Sequence, residues 1–469
     1  MRKLRTLALL ATIIFISIFS LGLQKKEDVK IKTSDPEANY LSYCSGCHGA
    51  KMNAFADRKW KYGKTSEDLF KSIKYGYKEG GMPAFAETFK DDEIKAIANY
   101  IIKGVENVDR YSFDEKPQSD IFDTENGKIK LVKIFDKAKN PWGMAFLPNQ
   151  QMLITDKSGE LHLANADGTS KIIKGLPEVR FAGQGGLMDV ILHPNFTENK
   201  IIYLSYSKPH PTDSSLQTTA ILMATLKDDE IINSKDIFIA EPYSKTKHHY
   251  GSRMVFGKDK MLYFSVGERG NEKENPQDIT NSLGKIHRIM ADGSIPKDNP
   301  FYAQNKADKS NYTYGNRNPQ GLALNPFTGE IWENEHGPRG GDEINIVKKS
   351  ANYGWPVTSY GINYNGKTIT SITQKEGITD PIHYWTPSIA PSGMAFVNSK
   401  IYPKWQGNLM TGSLRFQYLN RCEIVNGKVI KEELLLKNIG RVRDVKQSPD
   451  GYLYIAVEGN GVFKLLPQD

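Results

Sequence analysis

The sequence predicts an all-β six-bladed β-propeller preceded by a small all-α domain. One pattern, two short alternating strands around a Pro, Gly or Asp turn, returns six times after Lys128. The segment before it carries helical periodicity and two closely spaced cysteines. The length of 469 residues is enough for two domains with separate hydrophobic cores.

The charge balance is only mildly basic, with 62 Lys and Arg residues against 54 Asp and Glu residues and a net charge of +8. No run of basic residues or nucleic-acid-binding signature accompanies this excess. The sequence therefore predicts no nucleic-acid partner. A mildly basic surface suits an acidic redox partner as well as it suits solubility.

Residues 1–23 have the pattern of an export signal. Three basic residues precede the apolar run from Leu7 to Phe19, and the small residues Ser20 and Gly22 mark a candidate cleavage site. Extended to Leu23, the apolar run is borderline for a membrane span, so a retained membrane anchor stays open. The sequence thus predicts export to the periplasm or to the outer face of the cytoplasmic membrane.

Two of the three cysteines belong to one short motif, Cys44-Ser45-Gly46-Cys47-His48. This C-x-x-C-H pattern attaches c-type haem: the thiols of Cys44 and Cys47 add to the haem vinyl groups, and His48 ligates the iron. A zinc site would need a second pair of ligands, and no other cysteine lies in this segment. The third cysteine, Cys422, is interpreted as a small buried apolar side chain.

Met82, in GGMPAF and 34 residues after His48, is the candidate for the sixth iron ligand. Pro83 stiffens the loop that would carry the thioether to the iron, although a plain core methionine is the alternative. A His/Met ligand pair favours a relatively high reduction potential. The pair therefore predicts electron transfer rather than oxygen binding.

Helices are expected on both sides of this loop. Ser66 can cap one helix, and the periodicity from Asp91 to Lys103 predicts another that ends before Gly104. Residues 35–104 thus resemble a small class I cytochrome c domain. Residues 105–126 are polar and acidic without periodicity, which predicts a linker.

The six hairpins define residues 127–469 as one propeller domain. Their spacing of about 45 to 70 residues leaves room for two outer strands in each blade. A β-sandwich would also contain many short strands, but it would not repeat one hairpin six times. The hairpins begin near Trp142, Gly185, Ser252, Gln320, Ser392 and Arg443.

The hairpin geometry predicts which residues share one rim of the propeller. Residues just before the first strand and just after the second must lie at the same end, because the two strands are antiparallel. Four arginines crowded on one rim would repel one another, which predicts a ligand bearing several carboxylates or phosphates. These four are Arg317, Arg415, Arg441 and Arg443. The predicted rim residues are Gln184, His248, His249, Glu268, Arg269, Asn316, Arg317, Asn318, Gln320, His336, Gly337, Pro338, Asp342, Arg415, Arg441 and Arg443.

Seven motifs in this domain occur in the order seen in a known family. They are HHYGSRMVFG, GERG, DGSIPKDNPF, YGNRNPQGLA, EHGPRGGDEINIV, NYGWP and RVRDV. Together they resemble the soluble PQQ-dependent aldose sugar dehydrogenases, and the resemblance covers Lys128 to Asp469. It implies that pyrroloquinoline quinone (PQQ), a tricarboxylate, is the ligand of the arginines.

The resemblance also implies roles for single residues. His249 would be the general base, and Glu268 would orient its imidazole and stabilise the protonated form. Arg317 and Asn318 would contact quinone or substrate. The glucose-oxidising branch of the family has a lysine at the position of Arg415. The arginine keeps the positive charge, but its planar guanidinium would contact a carboxylate with a different geometry. The remaining implied PQQ contacts are Gln184, Gln320, Tyr364, Arg441 and Arg443, with Arg415, Arg441 and Arg443 on its carboxylates.

Two calcium sites are implied as well. The main-chain carbonyls of Gly337 and Pro338 match the family's site at the quinone, since carbonyl oxygen suits a hard cation. A cation there would stabilise the oxyanion that grows as hydride arrives. A second, structural calcium would use the main chains of Glu343 and Tyr353.

The sequence as a whole predicts an exported enzyme with PQQ, haem c and calcium. It would oxidise the anomeric hydroxyl of an aldose to a lactone and pass electrons to its own haem, then to another cytochrome or a terminal oxidase. One alternative is a related enzyme for another polyol, sorbosone or an alcohol. The other is a propeller that binds glycan or protein without catalysis.

Overall fold

The computed structural model describes residues 35–44, 48, 55, 60–77, 82–106, 116–270, 273–363 and 368–468. The predicted export signal, Cys47 and Tyr364 lie outside the described residues. Within these ranges, no helix is both long and apolar enough to cross a lipid bilayer.

The N-terminal part is helical, as predicted. It contains α1 (Pro36–Tyr43), α2 (Ser66–Tyr75) and α3 (Asp91–Glu106). The predicted cap of α2 is displaced by one residue: Thr65 caps the helix, because its side chain and that of Asp68 bond each other's backbone N–H groups. Helix α3 continues to Glu106, past the predicted stop at Gly104.

One apolar core holds these helices together. The predicted face of α3 is buried in it, together with residues of α2 and the side chain of Tyr40 in α1. Met82 packs against the same core, and Cys44 at the end of α1 is part of it. The buried face of α3 consists of Ile94, Ile97, Ala98 and Ile101.

Six antiparallel sheets form the rest of the protein, and each is one blade. Blade 1 contains β3 (Pro141–Phe146), β4 (Met152–Asp156), β5 (Glu160–Ala164) and β6 (Ser170–Ile172). Blade 2 contains β7 (Leu187–Leu192), a short helix α4 (Phe196–Asn199), β8 (Ile201–Pro209), β9 (Gln217–Lys227) and β10 (Glu230–Ile239). Blade 3 contains β11 (Met254–Phe256), β12 (Leu262–Val266) and β13 (Lys285–Ile289).

The other three blades complete the ring. Blade 4 contains β14 (Pro319–Leu324), β15 (Ile331–Glu335), β16 (Asp342–Ile346) and β17 (His383–Trp385). Blade 5 contains β18 (Pro391–Phe396), β19 (Leu409–Ser413), β20 (Tyr418–Val425) and β21 (Lys428–Leu435). Blade 6 contains β22 (Val442–Gln447), β23 (Leu453–Val457) and β24 (Gly461–Gln468). Short 3₁₀ turns lie at Asn275–Gln277 and Pro403–Trp405.

Blade 6 is closed by strands from the start of the domain. β2 (Gly127–Phe135) pairs with β24, for example Leu131 with Leu465, and β1 (Ile121–Thr124) pairs with β2. β1 lies inside the predicted linker 105–126, so the sheet begins earlier than expected. β1 is only four residues long, and its pairing with β2 makes this short segment a strand.

The first strands of all six blades contact one another in a closed ring around the axis. The second strands are completely buried in five blades, as in β4 and β23. Apolar clusters fill the spaces between neighbouring blades. The predicted propeller is therefore confirmed, and each predicted hairpin forms the first two strands of one blade.

Candidate active site

A buried histidine and a buried glutamate form the centre of the site. His249 precedes β11 and Glu268 follows β12, so one hairpin of blade 3 brings them to the same rim. Nδ1 of His249 lies 2.9 Å from Oε2 of Glu268, and the two side chains are 10% and 0% exposed. An ionised carboxylate only accepts hydrogen bonds, so Nδ1 carries the proton and Nε2 keeps its lone pair.

The backbone around His249 is held in an uncommon conformation. Its φ of 53° is left-handed, which costs free energy for a residue with a side chain. Its N–H donates to Oε1 of Gln184 at 2.7 Å, and its carbonyl accepts from Arg269 at 2.7 Å. These bonds to blades 2 and 3 fix the imidazole in place.

The surroundings shift both ionisation equilibria. Burial lowers the pKa of His249 below its usual value, and the nearby Arg317 charge lowers it further, while Glu268 opposes them. For Glu268, burial favours the neutral acid, but the His249 imidazole and Arg317 hold its pKa below the usual range. The pair therefore consists of a neutral imidazole and a carboxylate at neutral pH.

Arg317 links this pair to the Gly/Pro turn of blade 4. Its Nε lies 3.8 Å from Oε1 of Glu268, and its Nη1 donates to the carbonyls of His336 and Gly337 at 2.8 and 2.7 Å. The guanidinium also lies 5.1 Å from the ring of Trp355. A cationic group thus already occupies one carbonyl that was predicted to bind calcium.

The second group of cations lines a cavity of about 240 Å³. Arg441 and Arg443 both bond the carboxylate of Glu458, at 2.6 and 2.8 Å through their Nε atoms. Nη1 of Arg443 donates to Oε1 of Gln320 at 3.1 Å. Glu458 was not singled out from the sequence, although it directly follows β23 on the predicted rim. The cavity is lined by Trp142, Lys157, Gly183, Gln184, Met188, Tyr250, Gln320, His336, Leu414, Arg441, Arg443 and Glu458.

Amide side chains connect the arginine cavity to the blade 3 loop. Nε2 of Gln320 donates to the carbonyl of Gly251 at 3.0 Å, and Oδ1 of Asn318 accepts from the N–H of the same glycine at 3.1 Å. Because Gln320 also bonds Arg443, a continuous chain of contacts joins the His249 loop to blade 6. His249 and the arginine pair therefore lie on one rim.

Arg253 connects several blades in this region, a role that was not predicted from the sequence. It is 1% exposed, and its Nη1 lies 3.1 Å from Asp189 and 3.0 Å from Asp444, in blades 2 and 6. Its Nη2 donates to the carbonyl of Arg443 at 3.2 Å, and its guanidinium lies 4.1 Å from the ring of Trp142. Arg253 is the arginine of the motif HHYGSR, in which only the two histidines were predicted to be site residues.

His336 lies between the two halves of the site. Its Nε2 contacts the carbonyl of Pro391 at 2.7 Å, and a carbonyl can only accept, so Nε2 carries the proton. Burial lowers the pKa of His336 to about 3. This imidazole is therefore neutral near neutral pH.

The Gly337-Pro338 turn borders a small pocket of about 10 Å³, the size of a water molecule or an ion. Glu335 and Glu343 also line it, and burial raises the pKa of Glu335 to about 8. Burial and the Glu335 charge raise the pKa of Glu343 as well. Oε2 of the neighbouring Glu333 has no hydrogen-bond partner within the described part of the chain. Buried acids of this kind fit a cation between them.

One described residue that was predicted to contact the cofactor is not found at the site. Arg415 is not among the residues lining either cavity, and its guanidinium lies 5.3 Å from the ring of Phe416. Tyr364 lies outside the described residues. Tyr353 lines the small pocket together with Glu343, as the second predicted calcium site requires.

The described part of the haem motif lies beside the helical core. Cys44 is buried, and the N–H of His48 donates to its carbonyl at 2.9 Å. Burial lowers the pKa of His48, and the Arg339 charge contributes to the shift. Arg339 directly follows the Gly337-Pro338 turn, so the haem motif lies within electrostatic range of the propeller site.

The comparisons with known families agree with both domains. The family described as Glucose / Sorbosone dehydrogenase matches residues 138–465, and the family described as cytochrome c oxidase, cbb3-type, subunit III matches residues 32–101. The chain therefore belongs to the glucose/sorbosone dehydrogenase family, the PQQ-dependent aldose sugar dehydrogenases, and carries an N-terminal cytochrome c domain. It is an oxidoreductase of this class.

Particular relatives show how far the likeness extends. Aldose sugar dehydrogenase YliI of Escherichia coli is 42% identical over 337 residues, covering 70% of this chain and 90% of the relative. Quinoprotein glucose dehydrogenase B of Acinetobacter calcoaceticus is 28% identical, covering 72% and 87%.

Solved structures give the same result. The apo form of the soluble aldose sugar dehydrogenase of E. coli superposes with a TM-score of 0.69 at 38% identity, covering 72% of this chain and all of that one. The PQQ-bound form of aldose sugar dehydrogenase from Streptomyces coelicolor superposes with a TM-score of 0.61 at 25% identity, covering 72% and 98%. In each case the matched part of this chain is about as long as the propeller domain.

Proposed function

We propose that this protein oxidises the anomeric hydroxyl of an aldose to the lactone with PQQ, and that the electrons pass to its own c-type haem. The observation that carries the proposal is the His249–Glu268 pair. Nε2 of His249 keeps a lone pair, Nδ1 is held by a carboxylate at 2.9 Å, and the pKa of the imidazole is below its usual value. Such a group is a general base at neutral pH.

The residues near this pair fit PQQ and calcium. The 240 Å³ cavity offers Arg441 and Arg443 for carboxylates, the amides of Gln184 and Gln320, and the ring of Trp142 as an apolar wall. For calcium, the supporting features are the carbonyl of Gly337, which already accepts from a cation, and the buried acids beside it. When bound, PQQ accepts hydride and calcium polarises the acceptor oxygen.

His249 and its neighbours perform the proton chemistry. Nε2 takes the proton of the anomeric hydroxyl while the hydride leaves the same carbon, so the imidazole becomes cationic. The Glu268 carboxylate stabilises that cation through Nδ1. Arg317 and Asn318 lie beside the pair and hold quinone or substrate oxygens.

For the electron path, we propose that Cys44 and Cys47 hold the haem and that His48 and Met82 ligate its iron. The effect of Arg339 on the pKa of His48 supports a haem close to the propeller site. The final acceptor would be another cytochrome or a terminal oxidase, and the enzyme would act in the periplasm or at the outer face of the membrane.

One experiment tests the proposal directly. Apoprotein with intact haem is mixed with PQQ and Ca²⁺, an aldose is added, and haem reduction is followed by absorbance. Reduction only when sugar, PQQ and Ca²⁺ are all present is expected. No reduction with any aldose, but reduction with a polyol, sorbosone or an alcohol, would assign a different substrate. No reduction with any of them would contradict the catalytic function.

A further inference from the structure

The residue directly after the second strand faces the same cavity in four of the six blades. These positions belong to blades 1, 4, 5 and 6, and each follows the last residue of β4, β15, β19 or β23. The repeat therefore builds a ring of equivalent side chains around one ligand-sized space. The four residues are Lys157, His336, Leu414 and Glu458.

Lys157 is the one cation in this ring, and its position is tightly defined. Its N–H donates to the carbonyl of Asn140 at 3.0 Å, and its carbonyl accepts from Leu187 of blade 2 at 3.2 Å. At Gly186 a Cβ would lie 2.1 Å from the carbonyl oxygen of Lys157, so only glycine permits this approach of blades 1 and 2. Nζ donates to the carbonyl of Gly183 at 3.0 Å.

The charges on the cavity wall are not balanced. Arg441 and Arg443 share the single carboxylate of Glu458. Within the described ranges, Lys157 has no carboxylate at salt-bridge distance. Burial lowers the pKa of the Lys157 ammonium, and the charges of Arg443 and Arg441 act in the same direction. Three cations and one carboxylate leave the cavity with positive charge that an anion would neutralise.

We propose that Lys157 binds a carboxylate of the cofactor from the blade 1 side of the cavity, next to the paired arginines of the neighbouring blade 6. This inference rests on the proposed PQQ chemistry. It supplies the third cation for a tricarboxylate, since Arg415 does not line the cavity. Nζ exchanges its bond to the neutral Gly183 carbonyl for a bond to a carboxylate of the ligand, in which donor and acceptor are both charged.

The test measures binding, so it does not depend on turnover. PQQ is titrated into full-length apoprotein with Ca²⁺ by calorimetry, for the wild type, Lys157→Met, Lys157→Gln and Lys157→Arg. Removal of the charge in K157M or K157Q should raise the Kd by about tenfold or more, whereas K157R should stay within about threefold. Lys171→Met, an exposed lysine on β6 of the same blade, is the matched control and should leave the Kd unchanged.

A neutral probe separates charge from shape. The trimethyl ester of PQQ lacks the carboxylate charges, so wild type and K157M should bind it with the same Kd. If the wild type and both neutral variants bind PQQ with the same affinity, the inference is overturned. It is also overturned if K157M loses as much affinity for the trimethyl ester as it loses for PQQ. If the wild type itself does not bind PQQ, the proposed function fails too. Binding by the wild type with no effect of the variants overturns this inference alone.

Discussion

At the scale of single residues, the site depends on keeping a neutral base among cations. His249 is buried beside Arg317, and both effects lower its pKa, so its lone pair remains available at neutral pH. Glu268 has the opposite effect and becomes important when the imidazole is protonated. The same carboxylate therefore limits the loss of basicity, and in the proposed reaction it would stabilise the imidazolium cation.

Replacing His249 by glutamine should abolish sugar-driven haem reduction, with a rate lower by at least about a hundredfold. The amide keeps a similar volume and polarity but cannot take the proton. PQQ affinity should change little, because the cofactor cavity is lined by other residues. Stopped-flow absorbance of the haem gives the rate, and calorimetry gives the affinity. An unchanged rate would show that another group is the base.

The pH profile tests the role of Glu268. The active form is the neutral imidazole, so kcat/KM should fall as pH falls through the pKa of His249, below its usual value. Glu268→Gln removes a charge that raises this pKa, so the acid limb should move to lower pH. The plateau rate should also fall, by about a hundredfold, because the cation loses its carboxylate.

The exposed Glu330→Gln is the matched control and should keep the wild-type profile. An acid limb that moves to higher pH in Glu268→Gln would contradict the assignment, and so would a profile that does not move at all.

At the scale of elements, strand ends decide which side chains meet. A residue just after a second strand reaches the rim regardless of its chemical type, as Lys157, His336 and Glu458 show. The ring itself is held by the pairing of β2 with β24, which joins the beginning of the domain to its end. This pairing completes the sheet of blade 6, whose strands β22 and β23 lie against β3 of blade 1.

Leu131→Ala in β2 tests the importance of this closure. Leu131 is 5% exposed and packs in the same core cluster as Leu465 and Leu419. Truncation should lower the free energy of unfolding by about 2 to 5 kcal/mol, as for other buried leucines. Urea unfolding followed by tryptophan fluorescence gives the value.

Lys130→Ala serves as the control, because Lys130 is a half-buried residue of the same strand whose ammonium lies 3.6 Å from the carboxylate of Asp120. Its effect should stay within about 0.5 kcal/mol. A loss below about 1 kcal/mol for Leu131→Ala would show that the closure contributes little to stability.

At the scale of the whole molecule, the proposed function assigns sugar oxidation to the propeller and electron transfer to the cytochrome c domain. Because the two domains are covalently connected, electron transfer to the haem would not require two molecules to meet. The length of the connecting chain sets the effective concentration of haem at the propeller. Burial lowers the pKa of His48, and the charge of Arg339, next to the Gly337-Pro338 turn, lowers it further, so this part of the haem motif lies near the propeller rim.

Varying the protein concentration tests whether electron transfer from the propeller to the haem is intramolecular. After sugar addition to the PQQ-loaded protein, the observed rate constant of haem reduction should stay constant over about a hundredfold range of protein concentration. Added free cytochrome c domain would be reduced in proportion to its own concentration and provides the control. A rate constant that rises in proportion to protein concentration would mean that electrons pass between molecules.

Local patterns in the sequence were sufficient to predict the fold and the proximity of His249 and Glu268. Hairpin repetition predicted the six blades, and the Cys-Ser-Gly-Cys-His motif predicted the cytochrome domain. The motif around His249 and the turn with Glu268 sit at two ends of one hairpin, so their proximity follows from antiparallel pairing alone.

Contacts between distant blades could not be predicted in this way. Arg253 bonds Asp444, 191 residues away, and β1 became a strand only through its partner β2. Arg415 was expected at the cofactor but does not line the cavity, whereas Lys157 and Glu458 do.

The sequence by itself determined the repeat, the haem attachment motif and the family, because each depends on residues close together in the chain. Only the tertiary structure decided which rim charges share one cavity and which neutralise each other. The direction of a side chain at a strand end is set by the neighbouring blade, which comes from another part of the chain.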